Sequence, residues 1–182
     1  MEAQLIKTCQ RGQLEDFAQL YDAHSKSIYR FIYYKTHHRE TAEDLTSITF
    51  MKALNAMESF DGDKASFKTW LYQIARNAVI DHYRAHKVTE DLDDAWDISD
   101  KTDIERDADF LLKIEAVQKY MQKLKPDQRE VVLLRVWGGH GFKEIAQIMG
   151  KSEAACKMLF KRIIEKLRDD FTPFMFLLLL IK

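Results

Sequence analysis

Residues 67–84 read FKTWLYQIARNAVIDHYR. Phe67, Leu71, Ile74, Ala75 and Ala78 recur at three- and four-residue spacing, the period of one helix face. Thr69, Gln73, Arg76, Asn77 and Arg84 share a different, polar face. The stretch therefore predicts one long amphipathic helix from about Phe67 to His86. Its neighbours decide whether the fold is helical throughout.

Upstream, Leu14, Phe17, Ala18 and Tyr21 predict a helix over 12–24, and KSIYRFIYYKT (26–36) a second, aromatic-rich one. Thr41 followed by Asp44 reads as a capping-box start for a third helix, carrying Leu45, Ile48, Phe50, Met51 and Leu54 to about Met57. The run SFDGDKAS, with Gly62 and two aspartates, reads as a loop. Downstream of the quoted stretch, residues 88–109 hold dense acidic charge with no sustained period, the composition of an extended linker. Phe110, Ile114, Val117, Met121 and Leu124 then resume a helical stripe that Pro126 stops. Asp127 with Glu130 suggests a second capping box, opening DQREVVLLRVW. Gly138, Gly139 and Gly141 make a turn, FKEIAQIM a short helix, and Ser152 caps a last helix to about Phe171. No strand pattern or repeat appears.

Composition agrees. Among 182 residues, 46% are apolar and 31% charged, with 6 glycines and 2 prolines, too few turn formers for a sandwich or barrel. No GxGxxG or P-loop pattern occurs. Cys9 and Cys156 are the two cysteines, far apart, which excludes a disulfide framework and a CxxC site and fits a reducing cytoplasm. The start, MEAQLIKTCQRGQLED, lacks the apolar core of a signal peptide. Net charge is −1, but residues 1–87 carry +1, 88–109 carry −8 and 110–182 carry +6. Basic charge at the end of each half suits a polyanion, or simply two solvated helix faces.

The segment from Phe142 has helix-turn-helix spacing. Ala146 is small where helices cross, Gly150 supplies a left-handed turn, and Cys156 and Leu159 are apolar on the second helix. Such a helix suits a major groove, with Lys151, Lys157, Lys161, Arg162, Lys166 and Arg168 near phosphates. A plain helical hairpin is the alternative. Cys156 reads as a small core residue rather than a reactive thiol.

Three stretches resemble the extracytoplasmic-function (ECF) group of bacterial sigma factors, together covering about residues 10–170. AEDLTSITFMKAL (42–54) resembles the family's core-polymerase-binding helix. FKTWLYQIARNAVIDHYR resembles its −10-element helix, usually F-x-T-W-L-Y-x-I-A-R-N-x-x-I-D. LKPDQREVVLLRVWGGHGFKEIAQIMGKSEAACKMLFKRIIEKL (124–167) resembles its −35-binding domain.

The resemblance implies an all-α protein of two small helical domains joined by an acidic linker, the second containing a helix-turn-helix. Residues 1–87 would bind core polymerase and the −10 element, 88–109 form the linker, 110–171 bind the −35 element and 172–182 form an apolar tail. It implies a sigma factor, not an enzyme, with core RNA polymerase, promoter DNA and an anti-sigma factor as partners. Core binding falls to Asp44, Leu45, Ile48, Met51 and Lys52. For the −10 element, the family builds a pocket for a flipped base in the loop that here holds Asp61, Gly62, Asp63, Lys64, Ala65 and Ser66. Trp70, Arg76, Asn77 and Arg84 follow on the helix, with Tyr83 as further aromatic surface; extruding a base costs a few kcal/mol, offset by stacking and edge hydrogen bonds. The −35 set is Lys151, Ser152, Glu153, Ala154, Lys157, Met158, Lys161 and Arg162. The acidic linker resembles the connector that runs through the polymerase RNA path; a solvated tether is the alternative.

Other residues have plainer expectations. Trp70 also reads as core, Arg76 as a partner for Asp81, and His37 and His38 as surface residues. His82 and His86 have i,i+4 spacing without a third ligand, so no metal is expected, and no cofactor. Phe174–Ile181 is an apolar run of about 12 Å as a helix, too short for a bilayer core of about 30 Å, so no stable membrane span is expected. It could pack back on the second domain, or meet a partner or membrane surface.

The sequence also departs from the family. Ser47 and Ile48 replace the usual Gln and Glu of D-L-T-Q-E-T-F. The recognition helix is more apolar than usual, with Leu159 and Ile164 where arginine is common, which weakens bidentate base readout. Two rival readings follow: a helix-turn-helix regulator acting without polymerase, which leaves 42–54 and 67–84 unexplained, and a sigma-like decoy that titrates an anti-sigma factor.

Overall fold

The computed structural model describes residues 2–86, 121 and 123–170. The linker at 88–109, the stripe at Phe110, Ile114 and Val117, and the tail at 172–182 lie outside the described residues. The described residues are helical, with no strand among them, and the chain divides into two compact units, one N-terminal and one C-terminal.

The N-terminal unit holds α1 (Glu2–Gln10), α2 (Phe17–Thr36), α3 (Arg39–Asn55) and α4 (Phe67–His86), with short 3₁₀ turns at Leu14–Asp16 and Met57–Ser59. Helices α2, α3 and α4 pack against one another, and α1 lies against α2 and the Met57–Ser59 turn. Leu20, Ile28, Ile32, Leu71, Ala75, Ala78 and Val79 form the centre of this core, each 2% exposed or less. A fully buried leucine or valine of this kind contributes about 1.5–3 kcal/mol relative to exposure.

Two of the expected helices are one. Helix α2 runs unbroken through Ser25 and Lys26, and begins at Phe17 rather than residue 12. The polar residues at the expected junction are accommodated inside the helix: Ser27 Oγ donates to the His24 carbonyl at 2.8 Å. The helix ends at His37, which is left-handed (φ 53°) and donates its N–H to the Tyr33 carbonyl. His37 is buried, not a surface residue. The cap of α3 is His38 rather than Thr41: His38 Nδ1 accepts the Thr41 N–H at 3.3 Å. Helix α1 is a further addition, not among the helices expected from the sequence. Thr69, expected on the polar face of α4, is fully buried, and its hydroxyl accepts a hydrogen bond from Ser66 Oγ at 2.9 Å.

The C-terminal unit holds α5 (Pro126–Val132), a π-helical turn (Leu133–Trp137), α6 (Phe142–Met149) and α7 (Glu153–Asp170). The start of α5 lies at Lys125 rather than Asp127: the Lys125 N–H donates to Gln128 Oε1 at 3.1 Å, and Pro126 occupies the first helical turn. Glu130, expected as a capping residue, is buried. The buried Arg129 donates from Nε to the Met121 carbonyl at 3.0 Å. The π turn places the Gly138 N–H on the Leu133 carbonyl, and Arg135 bonds the His140 carbonyl at 2.9 Å.

Two glycines close this unit for different reasons. Gly150 ends α6 in the left-handed region (φ 64°) with open space where a Cβ would stand. Gly138 has ordinary φ, but a Cβ there would meet the Leu134 carbonyl oxygen at 2.7 Å and the His140 ring at 2.8 Å. Denaturant melts should show Gly150→Ala losing about 1–2 kcal/mol, the left-handed penalty of a side chain. Gly138→Ala should lose more, because backbone must move.

Cys9 and Cys156 are both buried at 1% exposure or less, and burial pushes both thiols up from their ordinary range. A thiol reagent at neutral pH should leave both unmodified in the native protein and react with both after unfolding. Rapid native labelling of Cys9 alone would mean that α1 opens independently.

Candidate core-polymerase and promoter interface

Helix α3 has two sides because it packs on both α2 and α4. Leu45, Phe50 and Ala53 point inward, and the buried hydroxyls of Thr46 and Thr49 donate back to the Ala42 and Leu45 carbonyls, each at 2.6 Å. The opposite side presents Asp44, Ser47, Ile48, Met51 and Lys52 to solvent. Ile48 is 42% and Met51 64% exposed, unusual for apolar side chains beside a well-filled core. Leu45, at 4% exposure, belongs to the core of this unit rather than to its exposed side. Lys52 lies 3.6 Å from Asp81 of α4, an exposed pair of small energetic weight.

Side chains of the loop ahead of α4 bond to one another and to the loop's own backbone. Asp61 Oδ1 accepts the Asp63 N–H at 3.0 Å, and Asp61 Oδ2 pairs with Lys64 Nζ at 3.0 Å. The Asp61 carbonyl accepts the Lys64 N–H at 3.2 Å. The Lys64 ammonium, then the Asp63 N–H, holds the Asp61 carboxyl below its usual range, so it is ionised at neutral pH. Ser66 caps α4: its Oγ accepts the Thr69 N–H at 3.2 Å. Asp61, Gly62, Asp63, Lys64 and Ser66 are exposed and Ala65 is half-buried.

Beside this loop stands an aromatic group. Phe60 lies 4.9 Å from Trp70 and 5.7 Å from Phe67, centroid to centroid, and Phe67 lies 5.7 Å from Trp70. Trp70 is half-buried, anchored on one side and open on the other. One and two turns on from Trp70, the same side of α4 presents Gln73 and Asn77, and beyond them Arg84. Asn77 and Arg84 are exposed; Arg76 is half-buried at the edge of that face. Tyr83 is committed elsewhere, donating its hydroxyl to the Lys35 carbonyl at 2.8 Å. Sequence reasoning passed over Gln10, whose amide donates to the Phe60 carbonyl at the root of the loop. The Leu5, Ile6 and Cys9 spacing was the signal that a packed helix stood there.

In the C-terminal unit, Cys156 and Ile163 are buried on the inner side of α7, and Phe142 of α6 meets Phe160 edge-on at 5.7 Å. Leu159 is half-buried. The outer side presents Glu153, Ala154, Lys157, Met158, Lys161 and Arg162, with Met158 50% exposed. Ser152 Oγ accepts the Ala155 N–H at 3.2 Å and is the helix cap. The charges are partly paired: Glu153 with Lys157 at 2.6 Å, Lys161 with Glu165 at 3.7 Å and Lys151 with Asp127 at 2.9 Å. No group of three or more potential metal ligands, and no helix long and apolar enough to cross a membrane, occurs among the described residues.

Two family models match this chain. Residues 20–89 match Sigma-70 region 2, and residues 114–167 match Sigma-70, region 4. The ECF RNA polymerase sigma factor BldN of Streptomyces coelicolor is 35% identical over 168 residues, covering 90% of this chain; the chain spans 63% of the length of BldN. The RNA polymerase sigma factor YlaC of Bacillus subtilis is 32% identical over 168 residues, covering 89% of this chain and 94% of YlaC. The solved structure of CnrH in complex with the cytosolic domain of CnrY is similar at a TM-score of 0.67 and 25% identity, covering 90% of this chain and 92% of that one. With two family regions in sigma-factor order and relatives of this kind, the chain belongs to the sigma-70 family, in its extracytoplasmic-function group of RNA polymerase sigma factors.

Proposed function

We propose that this protein binds core RNA polymerase through the outer side of α3, recognises the −10 element with the 61–66 loop and α4, and meets −35 DNA with α7. It carries no catalysis of its own; the polymerase makes the RNA, and the protein works in the cytoplasm where that enzyme is. The observation that carries this reading is the continuity between the 61–66 loop and the Trp70–Asn77–Arg84 side of α4. A base drawn from the duplex would find donors and acceptors in the loop and an aromatic face beside it. Duplex contact by α7 is weighted toward phosphate rather than base edges, since the exposed positions offer Lys157, Lys161 and Arg162 but also Ala154 and Met158.

A protein partner is part of the proposal. CnrH was solved with the cytosolic domain of CnrY bound, which supports an anti-sigma partner for this chain. The decoy reading keeps one specific support, the apolar outer surface of α7 around Met158.

Run-off transcription with purified bacterial core polymerase on a genomic fragment library tests the main reading. The wild-type chain should create start sites absent from core enzyme alone. Asn77→Ala should weaken them by about tenfold, the scale of losing one base-edge contact. Core binding without transcripts would select the decoy.

The α3 surface is tested separately by pull-down. Met51→Asp and Ile48→Asp alter exposed side chains, so both variants should fold normally. Each should weaken core binding by about tenfold or more, as expected for charge placed in the centre of an apolar contact. Unchanged binding in both would remove α3 from the interface.

A further inference from the structure

The 61–66 loop has two roots. The downstream root is the Ser66 cap of α4. The upstream root is Phe60, and it is held from outside the loop. Gln10 Nε2, at the end of α1, lies 2.8 Å from the Phe60 carbonyl and 3.4 Å from the Met57 carbonyl. An amide nitrogen carries two hydrogens, so one side chain serves both acceptors. The Phe60 N–H also returns to the Met57 carbonyl at 3.1 Å. The clamp therefore fixes the backbone immediately before Asp61 and the ring of Phe60, against which Trp70 rests.

Helix α1 is itself well tied down, so Gln10 has a firm base. Cys9 is 1% exposed, Thr8 Oγ1 donates to Asp16 Oδ2 at 2.5 Å, and Glu2 pairs with His24 at 2.8 Å. The His24 ring in turn lies 5.5 Å from Phe67 at the other end of the loop. Both ends of the loop are thus referenced to α1 and the residue it grips on α2.

We propose that Gln10 is a positioning residue for base recognition, holding the upstream root of the 61–66 loop so that its pocket is formed before DNA arrives. The proposal rests on the reading of that loop as the −10 base pocket. Its physical content is preorganisation: without the clamp, ordering the loop falls on the binding step, and the penalty for a wrong base shrinks because the loop can adjust to it.

The test uses holoenzyme reconstituted from bacterial core polymerase and the full-length chain. The probes are fluorescent single-stranded oligonucleotides from a promoter mapped by run-off, carrying each of the four bases in turn at each −10 position. Gln10→Met keeps the side-chain length and removes both donors; Gln10→Lys restores a donor. Gln10→Met should reduce discrimination between the best and worst base at the pocket position by about fivefold, the scale of one hydrogen bond. Core affinity should stay at the wild-type value, the thermal midpoint should fall by only a few degrees as for any lost hydrogen bond, and Gln10→Lys should recover discrimination. Lys64→Ala in the loop is the control. If Lys64→Ala lowers discrimination and Gln10→Met does not, the clamp is overturned and the loop reading stands. If neither changes discrimination at any position, both fall. A parallel drop in core affinity and thermal midpoint, with discrimination intact, would reduce Gln10 to a structural role and overturn the proposal.

Discussion

The N-terminal unit depends on the burial of one side of α4 against α2 and α3. Leu71, Ala75, Ala78 and Val79 are 2% exposed or less, and the two alanines let the helix axes approach closely. With that side committed, the rotation of α4 about its own axis is set by the hydrophobic contact. Asn77 and Arg84 then face solvent, and Trp70 stands at the boundary. Turning the helix to bury Asn77 would expose Leu71 and strand an amide in the core, so the core holds the polar side outward.

The same packing explains the two characters of α3. Its inner side faces both neighbours, so Leu45 and Phe50 are absorbed and even the threonine hydroxyls must bond back to the helix. What is left for a partner is a row with Ile48 and Met51 near its middle. Ile48, standing where the family usually has a glutamate, makes that row more apolar, while Ser47 keeps it polar on the neighbouring position.

Charge on α7 is arranged with similar economy. Cys156 and Ile163 seat the helix, and Gly150 supplies the turn ahead of it. Exposed pairs such as Glu153–Lys157 each contribute about 0–1 kcal/mol. Such a pair is easily exchanged for another partner, and in the free protein it keeps the surface balanced. The lysine and arginine count overstates the positive field of this helix, because Lys157 and Lys161 each have a glutamate partner four positions away.

Helical period in residues 67–86, the breaker loop at 61–66 and the Phe142–Gly150–Ser152 spacing were legible in the sequence, because each depends on neighbours a few positions apart. So was the family, carried by residues whose order survives in the chain. The boundaries that went astray, between residues 24 and 26 and at Thr41 and Asp127, were local readings that longer-range packing outweighed or a neighbouring residue pre-empted. Tertiary structure alone decided that Leu45 belongs to the core while Ile48 does not, that His37 is buried, that Asp81 sits beside Lys52, and that Gln10 reaches the carbonyl of a residue 50 positions away. Sequence periodicity records which side chains share a face of one helix; which face meets a neighbour, and which distant backbone group a polar side chain finds there, depends on how the helices are brought together.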